Sequence, residues 1–200
     1  EFNEVFFDDA TTDADLIVGE SGDGWRVAMG LLQFERGVST LGQQVGFARE
    51  LDAIIDMARA NGSLENSEIA ARLVRARIRL SAMRANAQRT LDDDATVSGG
   101  TWGAAAAAGT ASVAKLLWAN WHRDLGELAM AVAGPASLIG PSETVEGHLN
   151  DIHDPENVEL DEWQRLFLFT RADTIYGGSN EVQRNIIAER VLGLPREARA

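Results

Sequence analysis

Apolar side chains recur at alternating steps of three and four along most of the chain, the spacing that keeps one side of a helix turned inward. The longest such stretch runs from Asp23 to Asn61 and carries Val27, Leu31, Phe34, Val38, Leu41, Val45, Ala48, Ile55 and Ala58. It predicts one helix with Asp23 as N-cap and Asn61-Gly62 as its stop. At about 1.5 Å per residue it would be roughly 55 Å long, so it needs a bundle to cover it. A second helix is expected over 67–91, from an N-cap at Asn66 or Ser67, with Ile69, Leu73, Ala76, Leu80, Met83, Ala87 and Leu91 on its inner side. A third, over 111–133, carries Val113, Leu116, Leu117, Trp121, Leu125, Leu128 and Val132 and stops at Gly134-Pro135. Asp161 with Gln164 three residues on makes a capping-box start for a fourth helix bearing Trp163, Leu166, Phe167 and Phe169. A fifth opens at Ser179 and runs through Val182, Ile186, Ile187 and Val191.

Two stretches break the pattern. Residues 92–109 combine an acidic triplet, Gly99-Gly100 and an alanine run between Gly103 and Gly109, and read as a mobile insertion. Residues 1–9 offer one strand, with Val5, Phe6 and Phe7 between acids, but a single strand cannot pair with itself. The expected fold is all-α, a four-helix up-down bundle with a short N-terminal extended segment. Residues 1–22 are expected to be the tail of a β-domain and its connector, and residues 23–200 the helical domain.

The formal charge of −13 and a pI of about 4.6 disfavour nucleic acid as a partner. Cysteine is absent, no apolar run is long enough for a bilayer, and the first residues lack a basic-then-apolar leader, so the expectation is a cytoplasmic protein. None of the three histidines follows a glutamate by three positions, which argues against the di-iron sites that bundles house, and no transition-metal site is expected.

Two features could carry chemistry. Glu35 follows Phe34 on the edge of the first helix's apolar stripe, where it is either a solvated flank paired with Arg36 or an i+4 partner, or a carboxylate held at a cavity. Gly177-Gly178-Ser179 at a helix start is either an ordinary glycine turn with a serine N-cap, or a place where outward N–H groups and a hydroxyl meet an anion.

The run Tyr176-Gly177-Gly178-Ser179-Asn180-Glu181-Val182-Gln183-Arg184 and the residues after it resemble the C-terminal signature of acyl-CoA dehydrogenases. VFFDDA near the start, GDGWRVAMGLLQFERG in the first helix and SVAKLLWA in the third resemble that family in the same order, over essentially the whole chain. The resemblance implies the family's C-terminal helical domain, FAD as cofactor and an acyl-CoA substrate, and it implies that these 200 residues alone are inactive. In that family a glutamate takes the α-proton of the thioester while hydride passes to the flavin. The residue after the signature tyrosine, the usual place of that base, is Gly177 here. Some members carry the base on the first helix of the domain in a Leu-x-x-Glu-Arg-like context, and Leu32-Gln33-Phe34-Glu35-Arg36 matches it. The resemblance therefore implies Glu35 as general base and the backbone N–H of Gly177 as a donor to the thioester carbonyl. It places Gly178, Ser179 and, more weakly, Glu181 against the flavin cofactor's diphosphate, and Arg36 and Tyr176 on the substrate side. The base on the first helix is similar to that of branched-chain, long-chain and actinobacterial steroid side-chain enzymes.

Two elements depart from the family. The Arg-x-x-Phe-Gly-like element after the first helix reads Ala58-Arg59-Ala60-Asn61-Gly62, and the Gln-x-x-Gly-Gly element after the third reads Met130-Ala131-Val132-Ala133-Gly134-Pro135. These are the parts that a family subunit lends to its neighbour's FAD. Their loss points to a homologous partner subunit, a heteromer, with a homo-oligomer as the alternative. A catalytically silent subunit that only assembles a partner's site, and an acyl-CoA oxidase sharing the same half-reaction, are the rival functions.

Overall fold

The structure, a computed structural model, describes residues 4–96, 101–138 and 160–196; within its helices the side chains of 32–41, 89–96 and 101–111 lie outside the description. The described residues are helical, with α1 at Gly24–Ala60, α2 at Ser67–Thr96, α3 at Thr101–Ala133, α4 at Glu162–Asp173 and α5 at Asn180–Ile186. A π-helical turn, Ile187–Val191, continues α5.

Contacts fix the direction of each helix. Gln44 donates to the Met83 carbonyl (3.3 Å), while farther along α1 Asp52 pairs with Arg77, so α1 and α2 run antiparallel. The Trp121 indole donates to the Ala76 carbonyl (3.0 Å), and Ala114 and Trp118 share a small void with Met83 and Ala87, so α3 turns back along α2. α4 then reverses along α3: the Gln164 amide meets the Ser137 carbonyl at one end (3.0 Å), and Asp173 meets His122 at the other.

The core is the seam where α1, α2 and α3 meet. Phe47, Leu51, Ile54 and Ala58 face Leu73, Leu80 and Met83 of α2 and Trp121, Leu125, Leu128 and Val132 of α3. Burying each large aliphatic or aromatic side chain here stabilises by about 1.5–3 kcal/mol. On α2 the expected stripe is the observed one. On α1 it is rotated by about one residue: Val45 is more than half exposed, Ile55 lies at the margin and Phe47, Leu51 and Ile54 are buried instead. Apolar residues populate both flanks of this part of α1, so the pattern alone leaves the choice to the neighbours. Leu31 and Trp25 are exposed near the N-terminal end of α1.

The turns follow their sequence signals with one exception. Asp161 accepts from the Gln164 N–H (2.8 Å) and Gln164 accepts from the Asp161 N–H (3.0 Å), the full reciprocal box. Asn66 caps α2, its side-chain oxygen accepting from the N–H groups of Glu68 and Ile69. Gly62 follows the end of α1 with φ +78°, the left-handed turn that glycine supplies without a Cβ penalty. Asp23 makes no side-chain cap; its carboxylate pairs with Arg26, whose guanidinium outcompetes a backbone N–H.

Two expectations are corrected. Residues 92–96 and 101–109 are helix rather than insertion, ending α2 and opening α3; in the second segment a run of alanines gives the highest intrinsic helix propensity and outweighs isolated glycines. Residues 97–100 lie outside the described residues. Val5, Phe6 and Phe7 are exposed, and no strand forms among the described residues, since a lone strand has nothing to bond to.

Candidate active site

α3 carries a second buried stripe, distinct from its apolar one: Ser112, Lys115, Ala119, His122, Gly126 and Ala129, again at steps of three and four. Small and polar residues on this side admit a close neighbour. A Cβ on Gly126 would lie 2.6 Å from the Thr170 hydroxyl oxygen and 3.0 Å from the Phe167 Cα, so α4 packs almost backbone to backbone on α3. The buried residues of α4 are Gln164, Thr170 and Asp173, not the expected Phe169, which is more than half exposed.

At the end of α4 these polar residues converge. The Asp173 carboxylate, 1% exposed, meets His122 Nδ1 at 2.6 Å and accepts from the Tyr176 hydroxyl. His122 Nε2 lies 2.9 Å from a Glu50 carboxylate oxygen on α1. Burial opposes a charge on this imidazole, but hydrogen bonds first from Asp173 and then from Glu50, with their negative charges, outweigh it and push the pKa up to about 9. The Lys115 ammonium donates to the Asp173 carbonyl at the C-terminus of α4, the dipole end that favours a cation. It also lies over the Trp118 ring, 4.5 Å from its centre, and burial depresses its pKa against the pull of Asp173. Burial, then the Asp173 hydrogen bond and charge, hold the Tyr176 phenol well above its usual range.

The signature turn sits directly on this cluster. Gly177 and Gly178 both have positive φ, +64° and +97°. A Cβ on Gly177 would touch the Lys115 stem at 3.4 Å, and one on Gly178 would collide with the Gln183 amide nitrogen at 2.5 Å. That amide donates to the Gly177 carbonyl (2.9 Å); the other side-chain atom of fully buried Gln183, Oε1, has no hydrogen-bond partner among the described residues. Gly177 is itself exposed, so its backbone is open on the side away from Lys115. Ser179 accepts from the Val182 N–H at 3.4 Å as N-cap of α5, and Asn180 and Asn120 exchange amide hydrogen bonds that tie α5 to α3.

Of the residues singled out from sequence, the structure brings Tyr176, Gly177, Gly178 and Ser179 together in this turn. Glu181 is exposed, its carboxyl held below the usual range first by its own backbone N–H and then by the Ser179 hydroxyl. Glu35 and Arg36 lie on the helical backbone of α1, and their side chains lie outside the described residues. Sequence reading missed Glu50, Lys115, His122 and Asp173. The signal for two of them was the polar stripe of α3, where Lys115 and His122 are seven residues apart and so share a face.

Residues 22–192 match the acyl-CoA dehydrogenase C-terminal domain. The chain belongs to the acyl-CoA dehydrogenase family. It is 56% identical over 199 residues to the acyl-CoA dehydrogenase IpdE1 of Mycobacterium tuberculosis and 55% identical to IpdE1 of Mycolicibacterium smegmatis, in each case over the whole of this chain. It spans 46% and 44% of those two proteins. The acyl-CoA dehydrogenase FadE34 of M. tuberculosis is 28% identical over 195 residues, 98% of this chain and 23% of that protein. Among solved structures, the Tcur3481-Tcur3483 steroid ACAD aligns with 87% of this chain and 40% of its own, at a TM-score of 0.64 and 24% identity. The FAD complex of PigA aligns with 88% and 40%, at 0.65 and 20%. These two share the fold. No helix among the described residues is long and apolar enough to cross a membrane.

Proposed function

We propose that the whole protein is an FAD-dependent acyl-CoA dehydrogenase, in which residues 1–22 close a preceding β-domain and residues 23–200 form the helical domain that carries the base. Glu35 takes the α-proton of the thioester, and the Gly177 N–H donates to the thioester carbonyl. The observation that carries the reading is the signature turn: family membership over 22–192, with Gly177 and Gly178 both in a backbone conformation suited to glycine and Gly177 open to solvent. A thioester α-proton is too weak an acid for a carboxylate unless charge developing on the carbonyl oxygen is stabilised, which is what a fixed backbone N–H supplies. A backbone donor does not depend on the side chain at 177, so the family's usual carboxylate can be absent there while the donor remains.

The backbone at Gly178 and Ser179 is partly accessible, and the Ser179 hydroxyl, which accepts from the Val182 N–H and bonds to the Glu181 carboxylate, can exchange that carboxylate for a diphosphate oxygen of FAD. Gly178 and Ser179 would hold that group, and the bound flavin would supply the hydride acceptor. Glu181 fits less well, since its carboxylate already turns to its own amide and to Ser179. Arg36 and Tyr176 line the substrate side, Tyr176 with its hydroxyl spent on Asp173.

The partner is read as a homologous subunit. One residue of each element that would be lent to a neighbour's FAD is tied to the other: the Asn61 amide donates to the Val132 carbonyl at 2.8 Å, with the nearby Ser63 hydroxyl on the same carbonyl at 3.1 Å, while Arg59 pairs within α1 with Asp56 at 2.6 Å. The paired name of the Tcur3481-Tcur3483 steroid ACAD supports this reading. Glu35→Gln in the full-length protein tests the base: acyl-CoA turnover is expected to vanish with flavin still bound, and an unchanged rate would refute the assignment.

A further inference from the structure

The buried polar groups behind the signature turn converge on one residue. Asp173 is nearly inaccessible, and a carboxylate taken out of water in this way must be paired and hydrogen-bonded. It has both: His122 and Tyr176 on the carboxylate, and Lys115 on the carbonyl. Two of these partners reach the turn directly. Tyr176 precedes Gly177 in the chain, and the Lys115 stem stands where a Cβ of Gly177 would touch it. Among the described residues, His122 is the member of the cluster that also reaches α1, through Glu50. A neutral imidazole has one N–H and satisfies one of its two flanking carboxylates; the imidazolium donates to both.

We propose that His122 is a positioning residue for the Gly177 backbone N–H, held as a cation between Glu50 of α1 and Asp173 of α4, and that loss of its proton leaves one N–H for two carboxylates and breaks the tie that holds α4 and the turn against α1. The inference rests on the reading of Gly177 as the donor to the substrate carbonyl. Among the described residues, the charged and titratable groups that face His122 are Glu50 from α1, Asp173 from α4 and, through Asp173, Lys115 from α3 and Tyr176 from the turn. Among the described residues no charged group of α2 is bonded to it. Its pKa of about 9 keeps the clamp closed at neutral pH and opens it in the alkaline range. His122 touches neither substrate nor cofactor in this scheme; it acts through Asp173.

The test uses the full-length protein with its FAD and its partner subunit. The pH profile of kcat/KM on an acyl-CoA substrate should show an alkaline limb near the His122 pKa. Glu50→Gln removes one of the two carboxylates and should move that limb toward neutrality by about one pH unit, a tenfold change in the proton concentration at its midpoint. His122→Gln should abolish the limb and lower kcat about tenfold with a smaller change in KM. It should also speed amide hydrogen exchange at neutral pH, and more over 173–183 than over the core amides of 47–58, which follow only the loss of global stability. A limb that stays in place in Glu50→Gln overturns the proposal, as does exchange in His122→Gln that is unchanged in 173–183 or rises there no more than in 47–58. Glu35→Gln is run alongside: full activity in that variant defeats the proposed function, while the exchange comparison still decides the role of His122.

Discussion

Gly177 and Gly178 resist substitution for different reasons. At Gly177 the surrounding space is nearly sufficient and the backbone is the obstacle, so Gly177→Ala should cost about 1–2 kcal/mol through its left-handed φ alone. At Gly178 a methyl also displaces the Gln183 amide from the Gly177 carbonyl, so Gly178→Ala should cost more in chemical denaturation and reduce flavin retention. The same backbone limit bears on restoring a carboxylate at the family's usual place. Gly177→Glu in a Glu35→Gln background should recover at most a small part of the rate, and recovery to near the native rate would show that the turn tolerates a side chain. His122 supplies a stability prediction whose sign is fixed. Its pKa is raised from about 6.5 in the unfolded chain to about 9. The stabilisation is therefore complete below about pH 6.5 and is lost as pH rises through about 9, on the order of 3 kcal/mol in all. Urea midpoints should fall across that window in the native protein and stay level in His122→Gln. Apart from Tyr176, this cluster was not legible from residue identity: an acid and a histidine 51 positions apart meet only because α4 reverses along α3.

At the scale of elements, α3 organises the domain because it is buried on two sides by different means. Its apolar side, from Trp121 to Val132, was plain in the sequence because hydropathy reports it. The side facing α4 was hidden because small and polar residues at the same spacing carry no hydropathy signal, although Lys115, Ala119, His122 and Gly126 repeat as regularly. Gly126→Ala should therefore push α4 off α3 and destabilise by about 1–3 kcal/mol, an overpacking cost. Leu51→Ala in the seam, where the side chain is fully buried, should cost about 2–5 kcal/mol by leaving a cavity. Both are read from denaturation midpoints. Helix starts were the most legible feature, since the caps at Asn66, Asp161 and Ser179 are local hydrogen bonds whose donor and acceptor lie within three residues. The face of α1 was the least, because apolar side chains flank both sides of the true stripe and packing against α2 and α3 selects between them. Over 101–109, alanine propensity outweighs the glycine punctuation.

For the whole molecule, the chain spans less than half of the two IpdE1 relatives, and on the proposed reading this domain supplies the base and the signature turn. On that reading, a pair of identical subunits would leave both adenosine halves poorly held, whereas one partner with intact lending elements would complete one site. Co-expression with a homologous subunit should yield one FAD per pair of chains; a stable homo-oligomer with one FAD per chain would refute the heteromer. The most direct test of the central claim is anaerobic flavin reduction. The FAD-loaded full-length complex is mixed with acyl-CoA, and the loss of oxidised-flavin absorbance is followed in the native protein and in Glu35→Gln. The account predicts rapid bleaching in the native complex and a rate at least about a hundredfold lower in the variant, the contribution of a general base. Equal bleaching in both would contradict it.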